Sequence, residues 1–526
     1  MNRLLTTMLV GLAGIQGFTL IASSRPKLVV GIMVDQLRTD YLENLKDMLG
    51  EGGFRRLMDQ GLYLRDVDFV VPGGDAASAS AIIQTGSYPR QNGVTGSRIL
   101  DRGSNTMKSV FNDPAYLGNF TDKTYSPGAL RVTTVADELA VENGGKSKIH
   151  SIAPDAAQAI VLAGHAGSSA FWLNDESGRW SSSTYYTDAP QILPNRNYSN
   201  PLVSRLDTLK WTPLKKFEPY PDITVKEVSD GFKYNFSRSD RDVFSQYKQT
   251  PFVNTDITEA AIEYINGLNL GKGGETTDVL NLGYTLAPYT WGDNENYRYS
   301  LQDAYLRLDK DLEALFKTLD KTVGKDDVLV YLSSTGYFTD PAVDTKKYRL
   351  PGGVFSVKRA LSLLNAYLSA KYGNGSYVDN YAEGQIFLSE NVIEEKNLDF
   401  SKVAEEARDF LVKMSGVSDA YTMADLMSPA IEQLEARRLA LDPKTSGHLI
   451  LEFTPGWKVV DDNRFPNVTE ENKSTAYATP VMILGGGIKP EVVDERIEAT
   501  SIAPTLARTL RIRAPNSSLS RSLPLK

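Results

Sequence analysis

An unbroken apolar run that ends in a carboxylate, "LVVGIMVD" from Leu28 to Asp35, is the strongest constraint in this chain. A strand without polar alternation needs cover on both faces, the condition met by parallel sheets lying between layers of helices. Comparable runs return at "KIHSIA" (148–153), "AIVLAG" (159–164), "DVLNLGYTL" (278–286), "DDVLVYLSS" (326–334) and "TPVMILGGG" (479–487). Helical stretches lie between them. The longest, "SLQDAYLRLDKDLEALFKTLDKTV" (300–323), carries apolar residues at helical spacing with Asp309 and Asp311 on its polar side. This alternation predicts an α/β fold with a mostly parallel central sheet flanked by helices. Open sheets of this kind take ligands at the carboxyl ends of their strands, which makes Asp35 the first candidate site residue.

Two stretches break the alternation. Residues 99–145 and 172–250 are rich in Tyr, Ser, Asn, Asp and Pro and read as long surface excursions, whereas 351–428 reads as helix, strand, helix, strand, a small α+β insertion with its own core. At 526 residues and 41% hydrophobic content, the chain has enough apolar surface for a large domain. The first residues show Arg3, an apolar run from Met8 to Ala22, and small residues at Ala22 and Ser24. The run is shorter than a bilayer span and broken by Gly11, Gly14, Gln16 and Gly17. Residues 1–24 therefore read as a signal peptide and 25–526 as the folded domain, exported to the periplasm or cell surface with no transmembrane segment in the mature chain. The absence of Cys leaves stability to the core. A net charge of −8, spread without long single-sign runs, argues against a nucleic-acid partner.

The segment "VPGGDAASASAIIQTGSYP" (71–89) reads as a strand end, a turn and a helix of small residues, where a hydrolase of this architecture would place a hydroxyl nucleophile. Together with "KLVVGIMVDQLRTDYL", "TGSYPRQNGV", "AGHAGSSAFWLNDESGRWSSSTYY", "LPGGVFSVKRALSLLNAYL" and "GGGIKPEVVDERIEATSIAPTLARTL", it resembles the alkaline phosphatase superfamily. The likeness is to the secreted bacterial phosphomonoesterases related to type I phosphodiesterases and nucleotide pyrophosphatases. It implies an alkaline phosphatase-like fold and a reaction using two zinc ions about 4 Å apart, one of which activates a Thr or Ser nucleophile.

Matched position by position, the resemblance places a metal-binding Asp at Asp35 and finds other residues at the remaining ligands. Thr285 and Tyr289 stand where Asp and His are expected, Thr335 and Gly336 replace an Asp-His pair, and Ala478 replaces a final His. The nucleophile falls on Asp75 or Ala76, depending on which side the match is anchored. Ser97 replaces a phosphate-binding Asn, and Asn92 a preceding His. Asp155 and Ala157 stand where a Lys-x-Arg pair would clamp phosphate. A carboxylate there would repel the substrate. Asp35 is read as capping the next helix or meeting a cation, Asp75 as a helix N-cap, and Ser78 and Ser80 as helix packing residues without a base. A nucleophilic Asp75 would need a cation opposite the phosphate, which the matched positions do not supply.

The chain has 3 His, at 150, 165 and 448, in no zinc-like spacing, and all are read as structural. The expectation is thus a pseudophosphatase with its metal site lost, no catalytic residues and no cofactor, acting as a binding or scaffolding component that takes a protein partner through its Tyr-rich excursions. Two alternatives stay open: an active phosphate- or sulfate-ester hydrolase with a rebuilt site, and a small-ligand receptor using the old cleft.

Overall fold

A computed structural model describes residues 25–187, 189–216, 231–274, 276–292, 297–339, 352–461 and 473–525. The expected signal peptide, 1–24, lies outside the described residues, as does part of the 172–250 excursion.

A ten-stranded sheet forms the centre, in the order Glu491–Val493, Leu62–Leu64, Val481–Gly485, Val328–Ser334, Leu28–Asp35, Asp278–Thr285, Ile149–Ala153, Ser169–Leu173, Trp180–Ser183 and Gly118–Asn119. The five strands from Val328–Ser334 to Ser169–Leu173 run parallel. Antiparallel pairings begin on either side of them, at Val481–Gly485 and at Trp180–Ser183, so the sheet is mixed. The opening strand lies in the middle, in register with Asp278–Thr285 along all eight residues, Leu28 opposite Asp278 and Asp35 opposite Thr285. Its first seven residues are buried, which explains the uninterrupted apolar run.

One expected strand is a helix. Residues 159–163 belong to the helix Ala156–Ala163, which is capped by Gly164 with φ +66°. Seven of its eight residues are buried and all but Gln158 are apolar, so the sequence carries no helical periodicity to distinguish it from a strand.

The helices Pro251–Gly267 and Tyr297–Thr322 cover one face of the sheet, and Ala76–Thr85, Ala156–Ala163 and Ile502–Leu510 the other, each with its own apolar cluster. A third cluster belongs to a separate unit between Gly353 and Val460. Its four-stranded antiparallel sheet, in the order Val378–Ala382, Gln385–Leu388, Leu449–Phe453, Val417–Thr422, carries the helices Val357–Tyr372 and Phe400–Leu411. No helix among the described residues is long and apolar enough to cross a membrane.

Candidate functional site

The carboxyl ends of the two central strands Leu28–Asp35 and Asp278–Thr285 open into a cleft of about 370 Å³. Asp35 ends its strand there. One carboxylate oxygen accepts hydrogen bonds from the Thr335 hydroxyl at 2.9 Å and the Tyr337 hydroxyl at 2.7 Å. Burial pushes its pKa up to about 6 against the opposing pull of these two bonds and of Lys473. Thr335 also accepts the Gln36 N–H at 2.9 Å, fixing the turn that leaves the strand.

Asp75 begins the helix Ala76–Thr85. One oxygen accepts from the Ala77 and Ser78 N–H groups at 3.1 and 2.9 Å, while Ser78 returns a bond to the Asp75 N–H, closing a capping box. The other oxygen accepts the Ser97 N–H at 2.6 Å. Burial would raise this carboxyl, but Lys473 and the N–H groups of Ser78 and Ser97 outweigh it and hold the pKa below the usual range. Ala76 and Ser97 line the cleft beside it. Ser80 is turned inward, donating to the Ala76 carbonyl at 2.6 Å, and Asn92 is buried with its amide on the Ser87 carbonyl.

Two ammonium groups enter this cleft from segments that the sequence matching never reached. Lys473, next to Ser474 in a short strand paired with Phe338–Thr339, donates to the Gly74 carbonyl at 2.8 Å and acts electrostatically on both Asp35 and Asp75. Lys248, at the end of the helix Val243–Lys248, bridges Asp155 at 2.8 Å and Asp175 at 2.6 Å. Burial works against its charge, and the two carboxylates more than restore it. Asp155 thus stands at the expected clamp position as the partner of a lysine, and the cleft holds cations that come from outside the matched positions. Neither lysine sits in a recognisable motif; each arrives only through the fold.

The other expected positions divide. Thr285 and Ala157 line the cleft; the Thr285 backbone is clasped by the Asn254 amide at 2.8 and 3.0 Å. Tyr289 turns away into an aromatic cluster with Tyr234 at 4.7 Å and Trp211 at 5.4 Å between ring centroids. Gly336 has φ +77°, and an added Cβ would lie 2.2 Å from the Phe69 ring, so Phe69 fills the space beside this position. Ala478 contributes its carbonyl to the Thr39 N–H. His150 is buried against the Ser169 hydroxyl, His165 joins Asp137 to the Leu130 carbonyl, and His448 accepts the Leu388 N–H and faces Glu390. None of the three lines the cleft.

Among the described residues, no group of three or more His, Asp or Glu side chains is placed to hold a metal ion. Asp35 and Asp75 beside an ammonium group do not fit a pair of zinc ions, which draw several anionic or imidazole donors around each metal.

The Type I phosphodiesterase / nucleotide pyrophosphatase family matches residues 29–476. The chain is 28% identical to the alkaline phosphatase PhoV of Synechococcus elongatus, covering 95% of this chain and 92% of that protein. It is 29% identical to a calcium-transporting ATPase of Myroides odoratus, with 98% and 97% covered. The alkaline phosphatase PafA of Elizabethkingia meningoseptica is 27% identical, with 95% and 94% covered. The crystal structure of PafA superimposes with a TM-score of 0.79 over 95% of this chain and 98% of that one, at 26% identity.

These comparisons overturn the expectation of a pseudophosphatase with a lost metal site that serves only for binding or scaffolding: proteins alike over nearly the whole chain are alkaline phosphatases. The reason for expecting a protein partner falls with it. Replacement of a group at its own position leaves open its supply from another segment, and Lys248 and Lys473 bring positive charge to the cleft from outside the matched positions.

Proposed function

Since the chain belongs to the type I phosphodiesterase / nucleotide pyrophosphatase family, within the alkaline phosphatase superfamily, we propose that it hydrolyses phosphate esters in the cleft at the ends of its central strands, with a rebuilt set of reacting groups. The observation that carries this reading is the presence in one cleft of the carboxylates Asp35 and Asp75 and the ammonium groups of Lys248 and Lys473. Phosphoryl transfer needs positioned positive charge on the phosphoryl oxygens and a group to take the proton of the attacking oxygen.

Lys473 supplies the first requirement. One of its three N–H donors is held by the Gly74 carbonyl, and the ammonium group lines the cleft. Asp35 supplies the second: Thr335 and Tyr337 both bind one of its oxygens, which fixes the carboxylate in the cleft wall. A water attacks phosphorus and passes its proton to Asp35, the ester P–O bond breaks, the leaving oxygen takes a proton from solvent, and Asp35 returns its proton to solvent. Asp75, with both oxygens committed to backbone N–H groups, orients the helix and steadies Lys473 instead of attacking. The run from Met8 to Ala22 supports export of the protein from the cytoplasm.

The test is steady-state hydrolysis of p-nitrophenyl phosphate, bis-p-nitrophenyl phosphate and p-nitrophenyl sulfate by the purified protein. Turnover of a phosphate ester above that of the sulfate supports the reading. Hydrolysis of none of the three, or of the sulfate alone, contradicts it.

A further inference from the structure

We infer that Glu383 makes this cleft selective for phosphate esters whose alcohol part carries an ammonium group, an inference that rests on the hydrolase reading above. Glu383 and Gly384 form a two-residue turn between the strands Val378–Ala382 and Gln385–Leu388 of the inserted unit. Both have positive φ, +48° and +78°, the pattern of a type I′ turn. The first position of such a turn favours Asn, Asp or Gly, and a longer side chain is costly there.

The backbone has little room to relax. The Gly384 N–H donates to the Tyr381 hydroxyl at 2.9 Å, and its carbonyl accepts the Leu451 N–H at 2.7 Å. This pinned turn carries Glu383 to the wall of the cleft, facing residues supplied by the central sheet.

Its carboxylate is the one in the cleft that neither ammonium group engages. Lys248 serves Asp155 and Asp175, and Lys473 acts on Asp35 and Asp75. Glu383 forms no ion pair among the described residues; Arg98, which shares a small hollow with it, makes none with it either. Five carboxylates against two ammonium groups give the cleft a negative field, which favours a phosphate ester that also carries a positive charge over one that does not. In a zwitterionic ester the phosphoryl group meets Lys473 while the ammonium group meets Glu383. A cavity of about 370 Å³ admits an ester of this size.

The experiment compares kcat/KM for 2-aminoethyl phosphate and propyl phosphate, which differ by an ammonium group in place of a methyl. The protein is expected to favour the amine by about fivefold at low salt, the effect of one exposed ion pair. Glu383→Gln should bring the ratio towards one. Glu383→Gly should do the same while leaving the protein at least as stable, since glycine suits the turn, which separates selectivity from a structural role. A ratio of one in the unmodified protein, or an unchanged preference in both variants, overturns the inference. Failure to turn over either ester refutes the hydrolase reading instead; calorimetric titration with the same two esters then reads the preference without turnover, and equal affinities overturn the inference on its own.

Discussion

Replacing Asp75 with Ala and with Asn separates the structural worth of this carboxylate into two parts. In the native protein one oxygen receives two N–H groups of the first helical turn, and the other receives the Ser97 N–H at 2.6 Å. Asp75→Ala removes an N-cap worth about 1 kcal/mol. It also leaves the half-buried Ser97 N–H without its acceptor, a loss of about 1–2 kcal/mol. The total is about 2–3 kcal/mol. Asn caps a helix about as well as Asp, so Asp75→Asn keeps the first part, but its amide N–H₂ can face the Ser97 N–H and forfeit the second, for a loss of about 1–2 kcal/mol. Urea unfolding followed by tryptophan fluorescence reports on this region, because Trp172 packs in the same apolar cluster as the helix Ala76–Thr85. The expected order of stability is native, Asn, Ala. An Ala variant within about 0.5 kcal/mol of the native protein, the range of an ordinary surface change, would refute the assignment of Asp75 as a structural anchor.

Two other perturbations probe the frame around the cleft. Gly336→Ala should destabilise by about 2–4 kcal/mol, because the new Cβ meets the Phe69 ring in an already filled space and the backbone stays at φ +77°; a neutral effect in the same unfolding assay would show that Phe69 yields freely. Burial pushes the His150 pKa down to about 4. The unfolded chain takes up this proton near pH 6.5 and the folded protein only near pH 4, so the His150 contribution is fully present above pH 6.5 and is lost as pH falls to 4. The loss is about 3 kcal/mol. Unfolding free energies at pH 7 and 4.5 should therefore fall further in the native protein than in His150→Gln, and equal decreases would contradict a buried, neutral imidazole.

The sequence made the centre of the fold legible because burial on both faces leaves a plain mark: Leu28–Asp35 is apolar to its last residue, and the carboxylate that ends it reaches the cleft. The same mark misled at 159–164, where a helix buried on nearly every side has no polar face to reveal its period. The Asp75 cap could be read from short-range chemistry, a small polar residue before a helix of alanines and serines. Lys248, Lys473 and Glu383 could not, because they lie far from Asp35 in the chain and meet it only through the packing of separate segments. Of these, Glu383 alone carried a local signal, a Glu-Gly pair between two strand-like runs, the spacing of a tight hairpin turn. Function was misjudged for a related reason. The resemblance identified which groups were replaced, and only the fold shows that Lys248 and Lys473 line the cleft beside those positions.

The most direct test of the rebuilt site is kcat/KM for p-nitrophenyl phosphate in the native protein, in Lys473→Met and in Lys272→Met, a lysine that does not line the cleft. Loss of one charge-assisted hydrogen bond to the phosphoryl group predicts a decrease of about 10- to 100-fold for Lys473→Met, with Lys272→Met unaffected. Equal activity in all three would contradict the assignment of Lys473 as the cation that receives the phosphoryl group.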